Sequence, residues 1–269
     1  MALNVILGYP VRMSGRLADI TGPNIPEQIS EDSVILLPVG AIEQHGPHLP
    51  MSVDTVIAEE TSSALLDSVG DEIDLWLLPT LSISKSNEHT WSPGTLSYST
   101  TTMISVLDDI ARCVATTAAR RLVILNGHGG NTSLLITACR DIRVAHELLT
   151  FLVHPSVPPA SGGTSTEEEM GMGIHGGLNE TSVFSYLRPG ETRMEKAVRR
   201  VPEWMAENKW VKFGGKVQFG WTSRDFGSEG LIGDPTDANP ELGKELFESA
   251  VKSLADQLRE ISNFDFEGK

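Results

Sequence analysis

Three times in its first half this chain repeats one pattern. A short apolar run is followed by a longer segment whose apolar residues recur at helical spacing. The runs cover residues 34–39, 75–78 and 122–125, and a fourth stands at 151–154. The helical segments cover 54–69, 100–120 and 132–149. In the first, Ile57, Ala64, Leu65 and Val69 share a face; in the second, Ile104, Leu107, Ile110, Ala111 and Val114 do. Runs that are apolar at every position are strands buried on both sides, and each helix between two of them is a crossover. That arrangement predicts an α/β fold with parallel strands and helices on both faces of the sheet. Later stretches predict a helix over 180–187, a strand over 217–221, and a C-terminal helix opened by Asn239 and Pro240. The last carries Phe247, Ala250, Val251, Leu254, Leu258 and Ile261 on one face. Trp204 and Trp210 are expected as packing residues. With no internal repeat and no linker, residues 1–269 are expected to form a single domain.

Open sheets of this kind bind ligands outside the carboxyl ends of their strands, so the segments after the first and third runs matter most. The first run leads into Pro38-Val-Gly-Ala-Ile-Glu43-Gln-His45-Gly-Pro-His48-Leu-Pro and then Asp54. Glu43 and His45, two apart, point to the same side of an extended chain. With Asp54 they make half of a metal site, or else they are loop residues and Asp54 caps a helix. The third run leads into Asn126-Gly-His128-Gly-Gly-Asn131, with Asn131 placed to cap the next helix. If the strands are parallel, His128 shares a rim with Glu43 and His45. The glycines of this loop lack the lysine and the spacing of a phosphate cradle. Between these motifs, residues 81–98 are polar and hold Glu88, His89 and Trp91. Residues 155–173, rich in proline and glycine with the acid run Glu167-Glu168-Glu169, are expected as a mobile lid leading into His175.

Charge and composition narrow the function classes. Thirty-six acidic residues against 21 basic ones give a net charge of −15, which repels a phosphate backbone and excludes nucleic acid as a partner. No stretch approaches the ~20 apolar residues of a membrane span, and Met1 to Pro10 lacks the basic start of a secretion signal. Cys113 and Cys139 form no CxxC pair and are expected as small buried hydrophobes. A cytoplasmic location is expected.

Taken together, the motifs resemble the creatininase (creatinine amidohydrolase) family. The resemblance rests on the segment from Pro38 to Asp54, on Glu88-His89 with Pro93-Gly-Thr95, on Asn126 to Asn131, on His175-x-Gly177-x-x-Glu180-Thr-Ser182, and on Gly230-x-x-Gly233-Asp234-Pro235. It implies a three-layer α/β/α sandwich with a mainly parallel central sheet, two divalent metal ions per chain (Zn, Mn or Fe), and a homo-oligomer, often a hexamer. It implies cleavage of a C–N bond in a small cyclic or formylated amide. Relatives that act on a peptide terminus or open a carbocyclic ring, and a metal-binding relative without turnover, are the alternatives.

Residue by residue, the resemblance makes Glu43, His45, Asp54, His128 and Glu180 metal ligands, with Asp54 shared by both ions. In creatininases proper a further ligand stands two residues after the histidine of the third motif; here that position is Gly130, and Glu180 completes the set instead. His175 matches a histidine held close to substrate and is the expected proton carrier, with Glu180 as the other catalytic candidate. His48, His89, Trp91, Gly129 and Gly130 are the expected substrate contacts. The aromatic cover that creatininases place before the His175 position is missing here, since no aromatic lies between Pro155 and Ile174. The chemistry is coherent on its own terms. Carboxylate and imidazole donors suit Zn²⁺, Mn²⁺ or Fe²⁺, and two such ions can share a carboxylate and activate a water for attack on an amide.

Overall fold

A computed structural model describes residues 14–155 and 165–266. Among these, five parallel strands form one sheet: β1 (Gly15–Arg16), β2 (Val34–Val39), β3 (Leu75–Leu77), β4 (Arg121–Asn126) and β5 (Leu149–Val153), in the order β1-β3-β2-β4-β5. A one-turn helix, α1 (Ile25–Gln28), precedes β2. The longer helices are α2 (Val53–Ile73), α3 (Thr100–Val114), α4 (Thr132–His146), α5 (Leu178–Leu187) and α6 (Pro240–Asn263).

Alternate side chains of the central strands feed two cores. Ile35, Leu37 and Val39 of β2 and Leu122 and Ile124 of β4 pack against Met103, Leu107 and Ala111 of α3 and Leu135 and Ala138 of α4. Val34 and Leu36, with Val123 and Leu125, pack against Ala58, Leu65 and Val69 of α2 and Leu254, Ala255 and Leu258 of α6. This is a three-layer α/β/α sandwich, and it explains why the strand sequences are apolar throughout. Helix α5 lies outside the second face against α6, and the two approach closely at Gly243. A Cβ there would stand 1.9 Å from the carbonyl oxygen of Ser182. Arg121, buried at the start of β4, donates to the carbonyls of Glu31, Ile261 and Phe264 and so ties the end of α6 to the sheet.

Two connections leave the middle of the sheet on opposite sides. The chain after β2 runs through α2 to β3, while the chain after β4 runs through α4 to β5. β2 and β4 are paired over six positions, from Val34↔Arg121 to Val39↔Asn126. Their carboxyl ends therefore open a crevice at the point where the strand order reverses.

Several expectations need correction. Residues 217–221 form no strand; Phe219 and Trp221 instead pack with Phe213 and Phe226. The second helix ends at Val114 rather than at residue 120. Trp204 and Trp210 lie on the surface, with Lys209 and Lys216 over the ring of Trp210. Cys113 is exposed and Cys139 half-buried. Asp54 does not cap α2, whose N-cap is Ser52, and Asn131 makes no capping bond to α4. Much of the expected lid falls outside the described residues. Its described end, 165–173, is a series of turns held by the buried Glu169. No helix among the described residues is long and apolar enough to cross a membrane.

Candidate metal centre

The crevice between β2 and β4 gathers carboxylates and imidazoles from four segments. Glu43 and His45 come from the chain leaving β2, Asp54 from the first turn of α2, His128 from the turn after β4, and Glu180 from the first turn of α5. Three overlapping groups have donor atoms close enough to hold an ion: Glu43 with Asp54 and His128, His45 with Asp54 and Glu180, and Glu43 with His45 and His175. Asp54 stands between the first two. Its Oδ1 is 3.4 Å from His45 Nε2 and its Oδ2 is 3.3 Å from His128 Nδ1. On the other side of its ring, His128 places Nε2 3.2 Å from Glu43 Oε2. Glu180 Oε1 lies 3.8 Å from His45 Nε2, and its Oε2 accepts from the amide of Gly176 at 2.6 Å.

Backbone contacts set the tautomers. His45 donates from Nδ1 to the carbonyl of Glu43 at 3.1 Å, which leaves the lone pair on Nε2, facing Asp54 and Glu180. His175 donates from Nε2 to the carbonyl of Gln44 at 2.6 Å, which leaves the lone pair on Nδ1, 3.6 Å from Glu43 Oε1. Its ring lies between those of His45 and His89, with centroids 4.3 and 4.2 Å away. The expected proton carrier thus lies inside the donor cluster, buried and stacked, rather than free at its edge.

The site is buried and, without an ion, electrostatically frustrated. Glu43 Oε1 and Oε2, His45 Nε2, Asp54 Oδ2 and His128 Nε2 are buried and make no hydrogen bond. Burying ionised groups without partners costs several kcal/mol each, on the order of the price of removing them from water. The titration of the metal-free groups reflects this. Burial pushes the Glu43 carboxyl up to about 8, against the pull of His128. Burial works the other way on His128, but the Glu43 carboxylate, with Asp54 and Glu88 beside it, holds that imidazole well above its usual range. His45 is raised likewise, against burial, by Asp54 and Glu180. Asp54 lies well below the usual carboxylate range, because His45 and His128 outweigh its burial. Burial and then the charge on His45 bring His175 down to about 4.

The other expected residues take varied places. His48 is buried, its Nε2 2.9 Å from the hydroxyl of Thr181, and burial and His45 lower it to about 4. His89 accepts at Nδ1 from Gln44 Nε2 and from the Ser223 hydroxyl, both at 3.0 Å, so its Nε2–H is aimed at Glu43 Oε1, 3.3 Å away. Trp91 is half-buried and donates from its indole to Ser223 Oγ at 2.8 Å. Gly129 is exposed at the start of the turn after β4, and Gly130 follows it, half-buried.

Sequence reasoning gave no site role to four residues that the structure draws in. Gln44 accepts from the amide of Gly46 and contacts His89 and the carbonyl of Gly230. Strand alternation would turn it away from Glu43 and His45, yet its amide reaches His89 and His175. Ser223 links Trp91 to His89 from a stretch with no readable period. Glu88 Oε1 lies 3.2 Å from His128 Nε2. Glu169 accepts from the amides of Leu178 and Asp234 at 3.0 and 2.8 Å and from the hydroxyl of Ser165 at 3.2 Å. It thereby fastens the segments on either side of His175.

Comparison with known proteins points the same way. The model of the creatinine amidohydrolase family matches residues 18–258. The mycofactocin precursor peptide peptidase of Mycolicibacterium smegmatis is 31% identical over 230 residues, covering 84% of each chain. The creatinine amidohydrolase of Pseudomonas putida is 29% identical over 245 residues, covering 85% of this chain and 90% of that one. A solved creatininase structure with manganese superposes with a TM-score of 0.72 at 25% identity, covering 93% of this chain and all of the other.

Proposed function

This chain belongs to the creatininase family, and on that premise we propose that it is a divalent-metal-dependent amidohydrolase cleaving a C–N bond in a small cyclic or formylated amide. The observation that carries the reading is the set of buried donor atoms without partners on Glu43, His45, Asp54 and His128. A cation would satisfy all four residues at once. Oxygen and nitrogen donors without thiolate suit Zn²⁺, Mn²⁺ or Fe²⁺. Glu43, Asp54 and His128 would hold one ion, and His45, Asp54 and Glu180 the other. Such a pair supplies a Lewis acid for the amide carbonyl and a water acidified toward neutral pH.

The chain's own groups then handle position and protons. His175 is neutral at pH 7, with its Nδ1 lone pair facing the cluster. At that atom it can take a proton and return it to the leaving nitrogen. His89 borders Glu43, its Nε2 3.3 Å from Oε1. Trp91 and Gly129, which keep solvent access, are the substrate-facing candidates, with Gly130 beside them. His48 supports the site from behind through Thr181. A homo-oligomeric state is part of the same proposal, rests on family membership, and is read by light scattering in solution.

Two observations favour a second reading, hydrolysis at a peptide terminus. A relative named as a peptide peptidase matches at 31% identity, and the segment before His175 lacks an aromatic cover for a small ring. A panel of creatinine, lactams, formamides and short peptides, assayed with protein of measured metal content, separates the readings. Turnover of peptides alone replaces the first by the second. No turnover of any amide by fully loaded protein overturns both and leaves the ring-opening and the non-catalytic alternatives.

A further inference from the structure

We infer that Glu88 is an additional metal donor, paired with Glu43 and His128, its carboxylate filling the space beside His128 that a side chain at Gly130 would take. The inference rests on the metal reading above and extends it to a residue outside the three donor groups.

Three observations carry it. The first is distance. Glu88 Oε1 and Glu43 Oε2 each lie 3.2 Å from the same atom, Nε2 of His128. Donors bound at about 2.1 Å to one ion are separated by about 3.0–3.4 Å along the edges of its coordination shell. The spacing is that of donors around an ion, and it stands at the upper end of the hydrogen-bond range. The second is the lack of other partners. His128 Nε2 and Glu43 Oε2 are buried with no hydrogen bond, so no hydrogen bond satisfies the atom that Glu88 approaches. The third is room. A Cβ on Gly130 would stand 1.8 Å from Glu88 Oε1, 2.4 Å from His128 Nε2 and 2.8 Å from Glu88 Cδ. No side chain at 130 can coexist with Glu88 in this position. Glu88 itself is buried on the short turn Asn87–His89, and Ser223 beneath that turn contacts both the carbonyl of Glu88 and His89. The turn thus presents two neighbouring residues to the centre: His89 to the Oε1 side of Glu43, and Glu88 to His128.

The competing role is a hydrogen-bond acceptor that merely steadies the His128 ring. Two substitutions tell them apart. Glu88→Gln keeps an acceptor oxygen of the same shape but loses the charge. Glu88→His removes the carboxylate and offers an imidazole donor. Chelated wild type, E88Q and E88H are titrated with Mn²⁺ and with Zn²⁺, with bound metal read by elemental analysis and Mn²⁺ by electron paramagnetic resonance. We expect E88Q to bind one of two Mn²⁺ ions at least about 10-fold more weakly. We expect E88H to recover that ion with Zn²⁺ better than with Mn²⁺, since imidazole favours the softer metal. E88Q binding both ions at wild-type affinity overturns the proposal, as does E88H with an unchanged metal preference. Should E88Q not fold, shown by circular dichroism, E88H decides alone. Wild-type protein that takes up no ion overturns the metal reading itself and this inference with it.

Discussion

The imidazole of His45 donates from Nδ1 to the carbonyl oxygen of Glu43, 3.1 Å away and two residues back along the same chain. One stretch of backbone therefore supplies two donors and also fixes which nitrogen of the second faces the cluster. No other element has to align them, and the first prediction follows from what lies opposite.

Asp54 faces His45 with one oxygen and His128 with the other. Protein purified without chelator should contain close to two divalent ions per chain, and Asp54→Ala should lose both. Elemental analysis checks this. Wild type with less than half an ion after incubation with Mn²⁺ or Zn²⁺ would count decisively against the centre.

His175→Ala should keep its metal, because the groups built on Glu43, Asp54 and His128 and on His45, Asp54 and Glu180 are complete without it. Turnover should fall by about 10²–10⁴-fold, mainly in kcat, the usual effect of removing a positioned proton carrier. Steady-state kinetics and metal analysis on the same preparation test it. Loss of an ion would make His175 a donor, as its place with Glu43 and His45 allows.

The metal-free protein should lose stability as pH rises from about 6.5 to about 8. Folded Glu43 keeps its proton up to about 8, and His45 and His128 keep theirs well above the ordinary imidazole value. The unfolded chain has released all three protons by then, at about 4.3 and 6.5. The folded state thus binds more protons over this window, and stability falls with pH. Metal uptake at pH 7 displaces the same protons, so adding Mn²⁺ in weak buffer should acidify the solution. Thermal melts of chelated protein across the window and a pH-stat titration measure the two effects. A chelated melting temperature that rises toward pH 8 would contradict the assignment.

Glu169→Ala should cost about 2–4 kcal/mol, because it strands the amides of Leu178 and Asp234 inside the protein. Glu169→Gln keeps an acceptor oxygen for both and should stay near wild type. Denaturant unfolding of the two variants makes the comparison. A smaller loss in Ala than in Gln would mean that Glu169 is held by its charge and not by these amides.

The sandwich was legible because its strands are buried on both sides, so residues such as Val34 to Val39 are apolar without interruption. The expected strand at 217–221 failed for a related reason. Val217, Phe219 and Trp221 alternate as a strand would, but Phe219 and Trp221 serve an aromatic cluster around Phe213 and no neighbouring strand. In the site, Glu43, His45 and His128 stood out because their motifs end buried runs. Glu169 did not, since Glu167 and Glu168 beside it are exposed and the three read as one acidic surface. Glu88 was hidden by its neighbour His89, and only the tertiary contact with Gly130 separates their roles.

The register between β2 and β4 fixes the distance between the segments carrying Glu43 and His128. Glu43, His45, Asp54 and His128 all come from the chain before residue 129, whereas Glu180 and His175 come from the stretch between 165 and 234, outside the sheet. A change of length in that second stretch therefore reaches a metal donor and the proton carrier together. Only the group of Glu43, Asp54 and His128 is set by the sheet and its first crossovers alone.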